Sequence, residues 1–469
     1  MGDTVCVFRL KILAKTMDLS CSFLDNVAKL CYNAHRTISG AKNVKPQEIQ
    51  GGNCMKTLKI GIFGAGRGAD IAANFQLLGC EITAICDFHE ERRKNAVKRL
   101  GEGITEYADF DSFIEHDMDA VVLANFFHEH APYAIRCMEK GIHVYSECIS
   151  NGTMAEGVEL IRAVEKYPDV VYMLAENYPQ MIFNREMHRI AKSGVLGKIL
   201  YAEGEYNHPG DPNDINFKRT YTYFTKHWRN YIPRTYYITH SLGPVMRATG
   251  ATPKTVTAFA SFAPVEGDVP NASQCGDRAA VIMTQNDDGS IFRITGCAAF
   301  GGHHNAYRVC GTEGQIENLR GMGAKIMLRY NGWSKPEGEN EVQMYDPAWN
   351  DPDEEKIVKS GHGGSDYLTC RVFLESIRDG RQPEHPYNVY AAVAMSSTAI
   401  LAHRSMLENG KPYEIPDFTK EEWKKQYEND RAIPYYLTDG TPPDIPCCSH
   451  PDYKPTEQQM KRYLELFGE

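Results

Sequence analysis

Short apolar runs alternate with longer helical stretches in the part of the chain that follows Met55. The length and β-branched content of these runs are typical of buried strands. Strands are predicted at Leu58–Phe63, Glu81–Asp87, Asp119–Ala124, Gly141–Ser146 and Val170–Ala175. Because the strands alternate with helices, the pattern predicts a doubly wound α/β fold with a parallel sheet.

The pattern changes after about residue 178, where longer alternating segments replace the short apolar runs. A helix is predicted over Asn184–Ser193, and Ser365 is predicted to cap a later helix. Strand-like segments lie at Ile199–Tyr206, Thr255–Phe262, Ala279–Thr284, Ser290–Ala299 and Ala306–Gly311. Their alternation and the turn at Asp287–Ser290 predict an antiparallel sheet with one face covered by helices.

The first predicted strand runs into Gly64-x-Gly66-x-x-Ala69, and the second ends at Asp87. In this strand–turn–helix context the glycines form a dinucleotide-binding fingerprint. Gly64 permits a tight turn, Gly66 lets backbone amides approach a pyrophosphate, and the helix N-terminus favours the anion. Asp87, roughly 20 residues after Gly66, can bind ribose hydroxyls and would repel a 2′-phosphate. The pattern predicts NAD rather than NADP; the alternative is a glycine-rich turn of another α/β protein.

Polar residues follow several predicted strands, at the edge where doubly wound sheets bind ligands. Because the carboxyl ends of these strands meet, we expect the polar residues near the nicotinamide end of the cofactor. Each of them taken singly also fits a strand-end cap. The predicted cofactor-binding residues are Gly64, Gly66, Arg67, Gly68, Asp87, Asn125, His130, Glu147 and Asn177.

Composition excludes several classes of function. The 469 residues are 42% hydrophobic and carry a net charge of −10, which predicts a soluble protein with no nucleic-acid or anionic membrane surface. No apolar run reaches the length of a membrane span. The 14 cysteines lack C-x-x-C pairs. We therefore expect reduced thiols and a cytoplasmic location.

Four segments are predicted from these patterns. They are an N-terminal extension (1–54), a Rossmann domain (55–178), a substrate-binding α+β domain with an open, mainly antiparallel sheet (179–420) and a tail (421–469). The extension lacks the pattern of a secretory signal. Met55 leads directly into the first strand, so residues 1–54 are interpreted as an accessory or over-called leader.

Residues 56–435 resemble the Gfo/Idh/MocA oxidoreductases, in which a nucleotide-binding domain precedes an open sheet domain. Most members carry Glu-Lys-Pro where this chain has Glu147-Cys148-Ile149. That lysine serves the dehydrogenases as a proton-transfer group. Its absence argues against ordinary alcohol dehydrogenase chemistry.

Five further segments resemble glycoside hydrolase family 109 and related NAD-dependent glycosidases. They are Tyr172–Tyr178, Ala202–His208, Tyr237–Val245, Gly361–Tyr367 and Pro412–Thr419. The best known activity of that branch is α-N-acetylgalactosaminidase. This chain differs from it at Ser241 and Ser365, beside the matched histidines, so the sugar specificity is not carried over.

The resemblance implies that bound NAD+ takes a hydride from sugar carbon 3, after which carbon 2 loses a proton and the aglycone leaves carbon 1. Water then adds and the ketone is reduced, so the net reaction is hydrolysis without two opposed carboxylates. His240 and Tyr237 match the catalytic pair of this pattern. Histidine titrates near neutrality, whereas Tyr237 needs a lowered pKa, for which the nicotinamide charge is the expected source.

Further roles follow from the same resemblance. Glu147 is expected to bind a sugar hydroxyl or to relay its proton. The predicted substrate-binding residues are Tyr178, Tyr206, His208, Trp228, His362 and Asp366. His303 and His304 invite a metal interpretation, but no third ligand matches, so no metal is predicted and a sugar-facing or helix-capping role is expected.

An aromatic-rich stretch near residues 217–237 has two interpretations. Its rings fit either stacking on a sugar or packing over the cleft or against a second subunit. The stretch contains Phe217, Tyr221, Tyr223, Phe224, Trp228 and Tyr231. Tyr237 and Trp228 taken alone are also typical of core aromatics.

The leading hypothesis is an NAD-dependent glycosidase that acts on a small-molecule glycoside. One alternative is a net NAD-dependent sugar or glycoside 3-dehydrogenase that releases a keto-sugar. Another is a non-catalytic NAD- or sugar-binding regulator, against which the histidine–tyrosine pair argues; no DNA-binding motif is present. The resemblance implies a homo-oligomer, a dimer or tetramer formed through the open sheet.

Overall fold

The computed structural model describes residues 56–215, 226–267 and 273–467. The predicted extension at 1–54 lies outside the described residues, as do four of the aromatic residues named above: Phe217, Tyr221, Tyr223 and Phe224. Within the described ranges, each helix is too short or too polar to span a lipid bilayer.

The N-terminal part contains a six-stranded parallel sheet. Its strands are β1 (Lys59–Phe63), β2 (Glu81–Cys86), β3 (Thr105–Tyr107), β4 (Ala120–Leu123), β5 (His143–Ser146) and β6 (Tyr172–Leu174). They are ordered β3-β2-β1-β4-β5-β6, so the direction of connection reverses between β1 and β4. The connecting helices are α1 (Arg67–Leu77), α2 (Glu90–Leu100), α3 (Phe110–Phe113), α4 (His130–Glu139) and α5 (Met154–Lys166). The predicted Rossmann fold is confirmed.

The C-terminal part contains a nine-stranded sheet. Its strands are β7 (Ile199–Asn207), β8 (Pro253–Phe262), β9 (Asp277–Asn286), β10 (Ile291–Ala298), β11 (His304–Gly311), β12 (Gly314–Asn318), β13 (Ile326–Tyr330), β14 (Val342–Tyr345) and β15 (Tyr413–Glu414). The order is β14-β13-β12-β11-β7-β10-β9-β8-β15. Among these neighbours β7 and β10 are parallel, and the others are antiparallel. The predicted mainly antiparallel sheet is therefore confirmed, with more strands than the five segments expected.

The described α-helices that follow β6 are α6 (Ile182–Lys192), α7 (Thr239–Thr249), α8 (Glu354–Lys359), α9 (Ser365–Arg378), α10 (Val389–Leu407), α11 (Glu421–Tyr427) and α12 (Glu457–Phe467). Of these, α6, α7 and α10 contact the nine-stranded sheet, and α9 packs on α1 of the Rossmann part. The almost fully buried α10 packs against α5 on one side and β8 on the other. The predicted capping role of Ser365 is wrong, because Gly364 precedes the helix and the Ser365 hydroxyl donates to the His362 carbonyl at 3.0 Å.

The other face of the nine-stranded sheet presents apolar side chains. Phe259 on β8 lies opposite Val281 on β9, and these residues are 62% and 44% exposed. The expectation that copies of the chain pair through this sheet stays a prediction.

The turn after β1 gives the first testable prediction. Gly64 has a φ of +100°, and an added Cβ would lie 2.2 Å from the Ala124 carbonyl oxygen. Gly64→Ala should therefore lower the free energy of unfolding by on the order of 3 kcal/mol. Urea-induced unfolding followed by circular dichroism measures this change.

Gly66→Ala is the matched control for that prediction. Gly66 has a φ of −71°, and an added Cβ would meet no protein atom within 4 Å. The variant should keep its stability and still lose affinity for NAD. An equal loss of stability in both variants would contradict the steric account of Gly64.

Candidate active site

The glycine-rich turn between β1 and α1 fits a bound pyrophosphate. Gly64 makes the turn, and a Cβ on Gly68 would lie 2.5 Å from Ile62 Cγ2, so this glycine brings α1 close to β1. Gly66 faces open space at the N-terminus of α1, where backbone N–H groups attract an anion. The space that a Cβ on Gly66 would fill is the space that a dinucleotide needs.

Asp87 follows β2, and backbone groups hold its carboxylate in place. Its Oδ2 accepts a hydrogen bond from the Ala65 N–H at 2.8 Å, and its Oδ1 accepts one from the His89 N–H at 2.9 Å. The residue is 7% exposed. Each carboxylate oxygen can accept further bonds, so the arrangement fits the predicted contact with ribose hydroxyls.

Asn125 and His130 follow β4. The Asn125 amide donates to the Glu129 carbonyl at 3.3 Å, and its Oδ1 is buried with no hydrogen-bond partner among the described residues. His130 Nδ1 lies 2.9 Å from the Ile149 carbonyl oxygen, and burial lowers the pKa of this histidine. The unpartnered Asn125 oxygen fits an amide-bearing group such as nicotinamide; for His130, cofactor contact stays a prediction.

Arg67, the first residue of α1, connects the Rossmann sheet to α9. Its Nε donates to Glu147 Oε1 at 2.9 Å, and its two terminal nitrogens donate to the two oxygens of Asp366 at 2.8 and 2.7 Å. The Asn177 amide donates to Asp366 Oδ1 at 2.7 Å. His362 Nδ1 lies 2.9 Å from Asp366 Oδ2. We call these five residues the clamp.

The clamp holds a buried negative charge at its centre. Burial would raise the pKa of Asp366, but Arg67 and His362 hold it well below its ordinary value. The Asp366 side chain is 2% exposed, whereas that of His362 is 44% exposed. Direct contact with substrate therefore fits His362 better than Asp366, whose two oxygens already bind three side chains.

Tyr237, His240, Glu176 and Cys148 form a second connected set, which we call the relay. The Tyr237 hydroxyl lies 2.9 Å from His240 Nε2. His240 Nδ1 lies 2.8 and 3.0 Å from the two oxygens of Glu176. The Cys148 thiol donates to Glu176 Oε2 at 3.1 Å. Tyr237 lies just before α7 and His240 in its first turn, and the other two residues follow β5 and β6.

Electrostatics assign the protons in the relay. Burial would raise the pKa of Glu176, but its contact with His240 keeps the pKa below its ordinary value, so Glu176 is ionised. An ionised carboxylate accepts the Nδ1–H of His240. In the tautomer that carries its proton on Nδ1, Nε2 accepts a hydrogen bond from the Tyr237 hydroxyl.

The two remaining relay groups keep their protons. Burial raises the pKa of the Cys148 thiol well above its ordinary value, and the charge of Glu176 raises it further. Burial, followed by the effect of Tyr206, also raises the pKa of Tyr237 well above its ordinary value. The protein groups alone therefore raise the pKa of Tyr237, whereas the sequence analysis expects a lowered pKa.

Aromatic rings enclose the relay histidine. The Tyr178 ring stacks on His240 with 3.9 Å between centroids, and Tyr206 meets His240 edge-on at 4.9 Å. The ring centroid of His208 lies 5.8 Å from that of Tyr206, and the ring centroid of His303 lies 4.6 Å from that of His208. The predicted substrate-binding residues Tyr178, Tyr206 and His208 thus lie together beside the relay, and their contact with substrate stays a prediction.

Trp228 packs against neighbouring side chains, and its predicted contact with a sugar stays a prediction. Phe127 stacks on the indole at 4.8 Å, and the Arg229 guanidinium lies 4.3 Å from the ring centroid. The residue is 7% exposed. Of the two interpretations of this stretch, packing over the cleft is the one that Trp228 fits.

Two groups of side chains bear on the expectation that the protein binds no metal. His304 begins β11, which excludes helix capping, and its Nε2 lies 2.6 Å from Glu205 Oε1. Among the described residues, a metal-like grouping occurs in the relay, where ligand atoms of Cys148, Glu176 and His240 lie within 4.8 Å of one another. The Cys148 thiol and His240 Nδ1 both contact the Glu176 carboxylate, and the absence of a metal stays a prediction.

Glu176 and Cys148 are site residues that the sequence-based selection missed. Glu176 immediately precedes Asn177 at a predicted strand end, so the strand-end argument applied to Asn177 covers it as well. For Cys148, the sequence indicates only that it stands at the position that is lysine in the resembled dehydrogenases. The fold turns both side chains toward His240.

Comparisons with known proteins agree with this architecture. Residues 58–175 match the oxidoreductase family, NAD-binding Rossmann fold, and residues 272–425 match the glycosyl hydrolase 109, C-terminal domain. A glycosyl hydrolase family 109 protein of Saccharopolyspora erythraea is 26% identical over 404 residues, which cover 79% of this chain and 85% of that protein. Glycosyl hydrolase family 109 protein 2 of Akkermansia muciniphila is 28% identical over 405 residues, covering 76% and 82%.

Solved structures share the fold. Levoglucosan dehydrogenase in complex with NADH superposes with a TM-score of 0.65 at 18% identity, covering 77% of this chain and 100% of that one. An NAD binding oxidoreductase from Klebsiella pneumoniae gives a TM-score of 0.63 at 16% identity, covering 77% and 99%. The predicted resemblance to both families and the predicted NAD-binding domain are confirmed.

The clamp gives the second prediction. Asp366→Asn leaves the guanidinium of Arg67 without its bidentate partner, so the free energy of unfolding should fall by about 3 kcal/mol. Because the folded-state pKa of Asp366 is lowered, its stabilising contribution is complete above about pH 4 and is lost as the pH falls further. Urea unfolding at several pH values should show this acid-side loss in the parent and less of it in the variant.

Asp111→Asn is the control for the clamp variant. Asp111 pairs with Arg136 at 2.6 Å, but its side chain is 82% exposed. Exposed pairs contribute less than about 1 kcal/mol. Similar losses in both variants would contradict the assigned importance of the buried charge.

Proposed function

We propose that this chain, which joins an NAD-binding Rossmann domain to a sheet domain resembling that of glycosyl hydrolase 109, is an NAD-dependent glycosidase. The observation that carries the proposal is the relay of Tyr237, His240 and Glu176. It lies at the strand ends where a Rossmann fold receives nicotinamide. Cys148 stands in it at the position that is lysine in related dehydrogenases.

The chain offers a place for each part of the cofactor. The Gly64–Gly68 turn would hold the pyrophosphate, Asp87 the ribose hydroxyls, and the Asn125 oxygen the nicotinamide amide. When bound, NAD+ would supply a reversible acceptor for the hydride of sugar carbon 3. The ketone at carbon 3 makes the proton on carbon 2 acidic. The remaining chemistry is proton transfer by side chains.

Tyr237 and His240 act as one proton-transfer unit in this proposal. Tyr237 passes its proton to His240 Nε2 as its own oxygen takes a proton from the substrate. The raised pKa of Tyr237 is no obstacle, because no free tyrosinate has to persist. Ionised Glu176 stabilises the imidazolium that forms, as the aspartate does in a serine protease triad.

Glu147 is the second carboxylate at the site, and we assign to it the binding of a sugar hydroxyl. Arg67 binds its Oε1 at 2.9 Å, and the Cys148 N–H donates to its Oε2 at 3.1 Å. These contacts fix the orientation of the carboxylate. Accepting the proton of the hydroxyl that is oxidised is the role we assign to it.

The second candidate is a net sugar or glycoside 3-dehydrogenase. The similarity in fold to levoglucosan dehydrogenase in complex with NADH favours it. A non-catalytic regulator is less well supported, because the relay is a complete hydrogen-bonded set from Tyr237 to Glu176.

One assay separates these functions. The protein is incubated with nitrophenyl glycosides of several sugars and both anomers, with and without NAD+, and nitrophenol and NADH are followed together. We expect nitrophenol release without stoichiometric NADH. Steady accumulation of NADH would support the dehydrogenase instead. If neither nitrophenol nor NADH forms with any glycoside of a broad panel, the result would support the regulator.

The relay gives the third prediction. Glu176→Gln removes the charge that stabilises protonated His240, so kcat should fall on the order of 10³-fold. Binding of NAD, measured by fluorescence titration, should be unchanged. His240→Ala should abolish turnover with the same intact NAD binding.

Glu165→Gln is the matched control. The exposed Glu165 of α5 accepts hydrogen bonds from the buried Lys424 of α11 and lies outside the relay. The Glu165→Gln variant should have a kcat within about twofold of that of the parent. An active His240→Ala enzyme would remove that residue from the proposed mechanism.

A further inference from the structure

A positively charged groove lies outside the relay and the clamp. It runs between α6, the C-terminal end of α7 and residues 347–350, and has a volume of about 560 Å³. Its basic lining residues are Arg185, His188, Arg189, Lys192 and Arg247, and its acidic lining residue is Glu186. A basic groove is unexpected on a chain with a net charge of −10.

Two arginines of the groove have no carboxylate partner among the described residues. Arg185 donates to the Gln180 side-chain oxygen at 2.8 Å. Arg247 donates to the Pro179 carbonyl at 2.8 Å and to the Tyr387 hydroxyl at 3.4 Å. Both guanidinium groups are partly buried, and buried charges are normally paired.

Repulsion within the groove adds to this imbalance. Burial lowers the pKa of Arg185, and the positive charges of Arg247 and Arg371 lower it further. Asp351 opposes the effect, but Arg371 already binds both of its oxygens. The groove therefore has unbalanced positive charge that an anion would neutralise.

Lys192 and Arg189 lie at the C-terminal end of α6. The side chain of Lys192 is exposed and forms no hydrogen bond or ion pair with any described residue. Arg189 pairs with Glu186 through bonds of 2.6 and 2.7 Å. The net charge of the groove is thus carried by Arg185, Arg247 and Lys192.

The size and walls of the groove indicate the kind of ligand. A volume of 560 Å³ lies within the range of small-molecule sites, about 300–1,000 Å³. Ile182, Pro347 and the half-buried Trp349 supply an apolar wall. Guanidinium groups match the paired oxygens of phosphate, sulfate and carboxylate.

We propose that this groove binds a sugar-sized ring compound that carries an oxyanion, with Arg185, Arg247 and Lys192 as its cationic partners. The site is independent of the proposed glycosidase activity. Arg247 and His240 both lie on α7, but His240 belongs to its first turn and Arg247 to its last. A ligand in the groove is therefore detected by binding and not through turnover.

The test is calorimetric titration of the full chain at low ionic strength, with NAD+ at saturation so that the glycine-rich turn is occupied. The probes are glucose 6-phosphate, glucose 6-sulfate, glucuronate, inorganic phosphate and glucose. At least one anionic sugar should bind, glucose should not, and the ranking identifies the oxyanion. Inorganic phosphate binding as tightly as the sugar phosphate would overturn the assignment of a ring compound.

Three variants locate the binding. Arg247→Gln should weaken the affinity for the tightest-binding probe at least tenfold, and Lys192→Gln should weaken it about fivefold, because each substitution removes a charge-assisted contact. Lys425→Gln, on the exposed face of α11, should change nothing. Lys192 is exposed, so its variant decides the test if Arg247→Gln fails to fold. Binding that is absent, or unaffected by Lys192→Gln, would overturn the proposal.

Discussion

A carboxylate with no access to water must be satisfied by protein groups, and Glu176 is the carboxylate on which this site depends. Its oxygens bind His240, the Cys148 thiol and the Tyr178 backbone N–H. Each partner comes from a different segment, so the buried charge fixes a strand end, a turn and a helix start relative to one another. The orientation of His240, and through it Tyr237, is a consequence of this charge.

Adjacent residues at two strand ends divide the site into two networks. After β5, Glu147 joins the clamp and Cys148 joins the relay; after β6, Glu176 joins the relay and Asn177 joins the clamp. Within each pair, the two neighbouring side chains thus belong to different networks. One edge of the Rossmann sheet therefore supports two hydrogen-bonded networks side by side: the clamp, and the relay to which we assign proton transfer.

The parts that the sequence predicts well are those set by local constraints. The glycine turn and Asp87 follow from backbone sterics and strand order, so they were predictable. The five clamp residues are all predicted site residues, but their contacts with one another are not predictable, because Arg67 and Asp366 lie far apart in the chain and meet only through tertiary packing. Trp228 is a second case: its residue type suits a sugar, but the sequence does not show that Phe127 and Arg229 pack against its ring. Short strands such as β12 and β15 depend on their neighbours for pairing.

The replacement of lysine by Cys148 changes what the relay can do. A lysine ammonium beside Glu176 would neutralise the carboxylate and compete with His240 for it. A thiol with a raised pKa stays neutral, so the full charge of Glu176 remains available to a protonated His240. In the proposed enzyme the proton therefore moves along Tyr237 and His240. This arrangement suits a cycle that must both remove and return protons at the same sugar.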